Sequence, residues 1–264
     1  MKKYLFLLLV LCPLLALGQN RVSVTATPPM RDAVSGHYAG WIKGQLWTWG
    51  GCNFPDVPCA DGGEKVYYPR AYGASVQTPC GVVYLGGMDS TASLGDCIFI
   101  NAADSTTTTI PPLPKGLDNF AATYYDGTLW VAGGATDGVP NREVYSLPLP
   151  DGKGKAESGK VDGENGKRKA ENCNEWKTVA TLPDECRLQP CVAVQNTANG
   201  YSLFIFGGYQ PKTGELEAKV HTDGIYLPIA ELKKGNIAPA QWKRTSPALA
   251  WAHDAADGER KQHI

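Results

Sequence analysis

The sequence predicts an all-β protein folded as a β-propeller, and three observations carry that prediction. Four Gly-Gly pairs each end a short run of bulky apolar residues: Trp47-Thr48-Trp49-Gly50-Gly51, Val83-Tyr84-Leu85-Gly86-Gly87, Trp130-Val131-Ala132-Gly133-Gly134 and Phe204-Ile205-Phe206-Gly207-Gly208. A turn-like segment precedes each run: Lys43-Gly44-Gln45, Pro79-Cys80-Gly81, Asp126-Gly127 and Asn199-Gly200. Glycine (30 residues) and aromatic residues (9%) are plentiful, which suits many short strands joined by tight turns. A hairpin recurring with the same ending is an internal repeat, and repeats spaced by about 40 to 50 residues mark the blades of a propeller. Such a fold gathers loops at one face around a central channel, so candidate chemistry is sought there.

The elements follow in chain order. The first unit has predicted strands at 38–42 and 46–51, a long loop at 52–64 and a third strand at 65–68. The second has strands at 71–77, 82–87 and 96–101, with an outer strand at 106–112. The third has strands at 120–125, 128–134 and 142–147; after an insert, its outer strand falls at 175–182. The fourth has strands at 190–195, 201–208 and 224–229 and an outer strand at 241–245. Trp176 and Trp242 stand in outer strands, where a bulky side chain packs between blades, and Leu113-Pro114 and Leu182-Pro183 lead the chain inward to the next unit. The Gly-Gly pairs end strands without opening helices, so they are read as close backbone approaches and not as phosphate cradles.

Spacing is uneven. Gly50 to Gly86, Gly86 to Gly133 and Gly133 to Gly207 span 36, 47 and 74 residues. The longest interval holds the insert 151–172, rich in Gly, Lys and Glu and without aromatics, which is expected to be a solvated, flexible loop. The shortest leaves no room for an outer strand in the first unit before Pro69.

Residues 1–18 read as a cleavable secretory leader: Met1-Lys2-Lys3, an apolar stretch, then Ala16-Leu17-Gly18 before Gln19. The apolar run of about 14 residues is shorter than the roughly 20 that span a bilayer, so no stable membrane insertion is expected. A periplasmic or secreted location follows, with one propeller domain at 19–264. Formal net charge is −1, which gives no basis for a nucleic-acid partner. Of eight cysteines, Cys12 lies in the leader, so an odd number remains and at least one is unpaired. Cys52 with Cys59, and Cys186 with Cys191, are close enough in sequence to clip a loop in an oxidising compartment. No CxxC pair occurs and the four histidines are scattered, so neither a metal site nor a cofactor is expected.

The repeats resemble Kelch propellers. A more specific resemblance, to the bacterial sialic acid (N-acetylneuraminate) mutarotase/epimerase family in its cyclically permuted form, is carried by Ala39-Gly40, Gly50-Gly51-Cys52-Asn53-Phe54-Pro55, Gly62-Gly63-Glu64-Lys65-Val66-Tyr67 and Pro69-Arg70-Ala71-Tyr72-Gly73-Ala74-Ser75. In unpermuted members this block lies near the C-terminus; here it opens the mature chain, and the third and fourth units resemble the blades that begin those proteins. The resemblance covers most of 36–247. It implies a six-bladed propeller and a cofactor-independent isomerase acting on a small sugar acid. Only four Gly-Gly units are recognisable. Residues 21–28 look like an outer strand whose blade lacks its inner strands, so a shortened family member is expected. The family's catalytic Glu and Arg fall in a blade with no counterpart here and are not carried over.

Mutarotation opens and recloses a sugar hemiketal. One group takes the anomeric hydroxyl proton while another donates to the ring oxygen. Glu64, in the family-specific loop, is the candidate acid/base, with Asp61 second, as a substrate-binding group; a solvated loop carboxylate is the plainer reading of both. Arg70 and Arg187 precede innermost strands at equivalent repeat positions and are candidates for binding a substrate carboxylate or hydroxyls. A structural arginine bonding loop carbonyls between blades is the equal alternative. His37, before the first inner strand, can shuttle a proton near neutral pH, although a lone loop histidine is commonly just polar surface. Asn53 and Asn119 are candidates for sugar hydroxyls, Asn53 also being favoured in a turn on backbone grounds. Two other functions stand beside the isomerase. A non-catalytic Kelch module would bind a glycan or protein. A galactose-oxidase-like copper enzyme is disfavoured by the dispersed histidines.

Overall fold

A computed structural model describes residues 34–52, 70–149, 175–214 and 216–245. These lie in the second of two compact units, 34–264. The expected leader, the predicted strands at 21–28 and 65–68 and the insert at 151–172 lie outside the described residues.

The described chain is all-β and builds four successive antiparallel sheets. The first is the hairpin β1 (Tyr38–Ile42) and β2 (Gln45–Trp49). The second runs β3 (Ala74–Thr78), β4 (Gly81–Met88), β5 (Ser93–Asn101) and β6 (Thr107–Ile110), each pairing with the next. The third comprises β7 (Asp118–Tyr125), β8 (Thr128–Thr136), β9 (Val139–Pro140), β10 (Glu143–Pro148) and β11 (Lys177–Thr181), in the order β7-β8-β10-β11 with β9 paired to β8. The fourth begins with β12 (Cys191–Thr197) and β13 (Gly200–Phe206). A small separate hairpin follows, β14 (Tyr209–Gln210) and β15 (Lys219–Val220), before β16 (Gly224–Pro228) and β17 (Lys243–Arg244) complete the fourth sheet. A single turn of helix, α1 (Ile229–Leu232), and a 3₁₀ turn (Pro239–Gln241) link these last two strands. The 3₁₀ turn occupies the start of the predicted outer strand 241–245 and shortens it to two residues.

Successive sheets meet through their first strands: β1 lies against β3, β3 against β7 and β7 against β12. This arrangement of antiparallel sheets is compatible with a β-propeller-like fold. Side chains on a strand alternate between faces, and β8 uses both. Leu129 and Val131 enter a core shared with Val83, Leu85 and Phe99 of the second sheet. Trp130 and Ala132 enter a core shared with Leu203, Ile205 and Ile225 of the fourth. All four β8 residues are at most 1% exposed, which is why this strand reads as an unbroken apolar run rather than an alternating one. Each large side chain so buried contributes about 1.5–3 kcal/mol. The tryptophans bridge sheets as their position predicts. Trp176 Nε1 donates to the Pro111 carbonyl (2.9 Å) and Trp242 Nε1 to the Thr181 carbonyl (2.8 Å). Leu113 and Leu182 are buried beside them.

The Gly-Gly pairs join the sheets. Gly133 and Gly134 have φ of +75° and +80°, and the other three pairs are likewise left-handed. The Gly134 N–H donates to the carbonyl of Arg187, just before β12 (2.9 Å). Gly87 repeats this bond to Leu117 (2.8 Å), before β7, and Gly51 to Arg70 (2.9 Å), before β3. A Cβ on Gly133 would stand 2.5 Å from the Arg187 carbonyl oxygen. Both the turn stereochemistry and the close approach therefore require glycine there.

Candidate functional site

Two residues after each carbonyl that receives a Gly-Gly N–H, the backbone takes an unusual form. Tyr72, Asn119 and Gln189 have φ of +60°, +51° and +50°, and Gly36, at the matching place before β1, has +64°. These four are chained by backbone hydrogen bonds across the sheets. Tyr72 N–H donates to Gly36 O (2.9 Å), Asn119 N–H to Tyr72 O (2.7 Å) and Gln189 N–H to Asn119 O (2.6 Å). Left-handed backbone is uncommon outside glycine and a clear outlier for a bulky residue such as tyrosine. Each non-glycine residue held so costs on the order of 1–3 kcal/mol, and such strain collects at functional sites. Here the conformation turns three polar side chains toward one place, where the first strands of adjacent sheets begin.

That place is a cavity of about 390 Å³, lined by Ser35, Tyr72, Asn119 and Gln189 with Phe120 and Pro190. Its size is within the range of about 300–1,000 Å³ usual for small-molecule sites. Its polar groups are fixed by one another. Gln189 Nε2 donates to Asn119 Oδ1 (2.8 Å), and Asn119 Nδ2 donates to Asp118 Oδ1 (2.7 Å). The Tyr72 hydroxyl lies 3.3 Å from Ser35 Oγ and accepts from Cys52 Sγ (3.2 Å). Amides and hydroxyls against a small apolar floor suit a ligand that presents hydroxyl groups and C–H faces.

Of the described residues singled out from sequence, Asn119 alone lines this cavity. His37 follows Gly36 and is exposed, outside the lining. Glu64, Asp61 and Asn53 lie outside the described residues. Arg70 and Arg187 occupy equivalent places, as expected, but are buried, 2% and 0% exposed. Arg70 forms a two-pronged pair with Asp96 (3.0 and 2.6 Å) and donates to the Gly86 carbonyl (3.2 Å). Arg187 holds Asp184 through Nε (2.8 Å), Asp223 through Nη2 (2.8 Å) and the Gly207 carbonyl through Nη1 (2.8 Å). Each arginine ties the first Gly of its own sheet to a carboxylate at or beside that sheet's third strand, a structural role within one sheet rather than the bonding between blades weighed beside the substrate role. In the third sheet, where Leu117 replaces the arginine, Asn141 Nδ2 caps the Gly133 carbonyl instead (3.0 Å).

Arg244 completes the ionic group in the fourth sheet, donating to Asp184 (2.7 Å) and Asp223 (2.5 Å). Burial pushes both carboxyls up, but hydrogen bonds from the two arginines prevail and hold Asp184 and Asp223 below the usual carboxylate range. Cys186 and Cys191 do not pair. Cys186 is buried with Sγ toward the Tyr209 carbonyl (3.9 Å), and Cys191 is exposed at the start of β12.

Sequence reasoning missed Tyr72, Gln189 and Ser35. The signal was present: aligning the units on Arg70, Leu117 and Arg187 puts Tyr72, Asn119 and Gln189 at one repeat position. Among the described residues, no group of three or more His, Cys, Asp or Glu side chains is placed to hold a metal ion. Within the same residues no helix is long and apolar enough to cross a membrane. Compared with known proteins, the chain matches no protein-family model and no curated protein.

Proposed function

We propose that this chain is a Kelch-type β-propeller acting as an exported sugar isomerase, interconverting anomers of N-acetylneuraminate or a related sugar acid, with the ring of left-handed residues as its binding site. The observation that carries the proposal is that ring: Tyr72, Asn119 and Gln189 are held in a costly backbone conformation that converges their polar side chains on one cavity. The resemblance in the block from Gly50 to Ser75 supplies the reaction class. Asn119 and Gln189 bond sugar hydroxyls, and Phe120 and Pro190 meet the C–H face. Against this cavity the Tyr72 hydroxyl, supported by Cys52 and Ser35, handles a proton. Glu64, in the family-specific loop, is the partner acid/base that the resemblance suggests. With Arg70 and Arg187 engaged by aspartates, the cavity addresses the polyol body of the sugar rather than its carboxylate.

The test is proton exchange NMR on N-acetylneuraminate, and on neutral N-acetylglucosamine, with and without the protein. Faster anomer interconversion is expected, reduced about tenfold in Asn119→Ala, which removes one or two hydrogen bonds worth about 1 kcal/mol each. Saturable binding without acceleration would instead establish a second reading, a non-catalytic glycan-binding propeller. That reading is favoured by the engagement of both candidate arginines in ion pairs.

A further inference from the structure

Beside the cavity of the ring lies a second, a cleft of about 460 Å³ between the β4–β5 loop of the second sheet and the β8–β9 turn of the third. Asn119 lines both, so the two are neighbours on either side of one residue. The polar wall of the cleft is built and not incidental. Ser93 Oγ donates to Asp118 Oδ2 (2.5 Å) and accepts from the Asp137 N–H (2.7 Å), while Ser93 N–H donates to Asp137 Oδ1 (2.7 Å). Asp118 is 6% exposed. Asp137 is exposed and left-handed (φ +48°), a further non-glycine residue in that conformation at the edge of the same site. Its Oδ2 accepts no hydrogen bond from the described residues, leaving it to accept from a ligand. The apolar part of the lining is Met88 and Ala135, the cross-strand neighbours of Ser93 and Asp118, together with Leu188 and Pro211.

We infer that the ligand is longer than one sugar: a reducing disaccharide whose reducing residue occupies the ring cavity at Tyr72, Asn119 and Gln189, and whose second, uncharged residue occupies the cleft at Ser93, Asp118 and Asp137. The inference rests on the proposed reading of the ring cavity. A lining that combines apolar side chains with carboxylate oxygens matches a pyranose, which has C–H faces and donating hydroxyls at its rim. Two carboxylates and no lysine or arginine among the described lining residues repel an anionic group, so the second residue is neutral. The wall needs no assembly on binding. Asp89 Oδ1 accepts from Thr91 N–H (2.7 Å), Thr91 Oγ1 (2.7 Å) and Ala92 N–H (2.9 Å), which sets the β4–β5 loop before a ligand arrives.

Isothermal titration of the full chain with N-acetylglucosamine and with N-acetyllactosamine, a neutral disaccharide ending in the same reducing sugar, tests this. N-acetyllactosamine is expected to bind at least tenfold more tightly. Asp137→Ala and the near-isosteric Asp137→Asn, which preserves the acceptor for Ser93 N–H, are expected to abolish that advantage, while Asn119→Ala weakens both sugars. Equal affinity for the two sugars in the unaltered chain, or equal weakening of both by the Asp137 variants, overturns the inference and leaves the ring cavity standing. Failure of both sugars to bind a chain shown to be folded by circular dichroism overturns this inference, and failure of N-acetylneuraminate to bind the same chain overturns the cavity reading with it.

Discussion

Replacing Arg187 by methionine keeps most of the side chain's volume and removes its charge, so the cost is that of the ion group. The guanidinium is 0% exposed, and the carboxylates it serves, Asp184 and Asp223, are 7% and 19% exposed. Breaking a buried pair by deleting one partner costs about 3–5 kcal/mol. Arg244 stays in contact with both aspartates but is 46% exposed, so the lower end, about 3 kcal/mol, is expected. Arg70→Met at the equivalent position is the internal control. Its partner Asp96 is 41% exposed and regains water, and the Gly86 carbonyl keeps its bond from the Tyr38 hydroxyl (2.7 Å). About 1 kcal/mol is expected there. At about 2–4 °C per kcal/mol for a domain of this size, the melting temperature falls by roughly 6–12 °C and roughly 2–4 °C. Urea titrations followed by circular dichroism measure both losses. Equal losses, or a larger one for Arg70→Met, would refute the argument that burial of the counter-ions sets the cost. Sugar affinity is expected to survive in folded Arg70→Met. Lost affinity with intact stability would make Arg70 a ligand-binding residue after all.

Two further predictions concern backbone and titration. Gly138→Ala (φ +79°, open space around it) is expected to cost about 1–2 kcal/mol, the left-handed penalty alone. Gly133→Ala (φ +75°, against the Arg187 carbonyl) is expected to cost at least about 1 kcal/mol more, because the neighbouring inter-sheet hydrogen bond is forced apart; indistinguishable urea midpoints would show that close approach contributes nothing. His221 is 2% exposed and bonds the Cys186 carbonyl through Nε2 (2.8 Å). Burial first, and then the charge of Arg187, hold it below its ordinary value of 6.5. Below that pH the unfolded chain therefore binds a proton that the folded chain refuses. The contribution is full above about pH 6.5 and lost as pH falls. Urea midpoints from about pH 7 to about pH 5 should decline more steeply in the unaltered chain than in His221→Gln, and parallel curves would remove the titration argument.

Much of the strand plan was legible. The predicted strand 38–42 coincides with β1, and 128–134 falls within β8 (Thr128–Thr136), because apolar patterning and the turn residues before each run act over a few positions. Trp176 and Trp242 were legible as inter-sheet residues because outer strands recur at a fixed place in the repeat. The site was legible only in part. Asn119 stood out by residue type, whereas Tyr72 and Gln189 face the cavity because of a left-handed backbone that residue type does not announce. Arg70 looked like a substrate ligand because its partner Asp96 lies 26 residues away; Arg187 has one partner three residues before it, Asp184, which residue type alone does not mark as such, and a second, Asp223, 36 residues on.

By itself, then, the sequence determined the hairpins, the Gly-Gly turns and the placement of the bulky residues between sheets. These depend on side-chain alternation and on φ preferences, both settled within a few residues along the chain. Only the tertiary structure decided which arginines are neutralised, which polar residues converge and that two cavities share Asn119 in their lining. Those facts depend on distances of a few ångströms between different sheets, where hydrogen bonding and Coulomb attraction act and sequence separation carries no information.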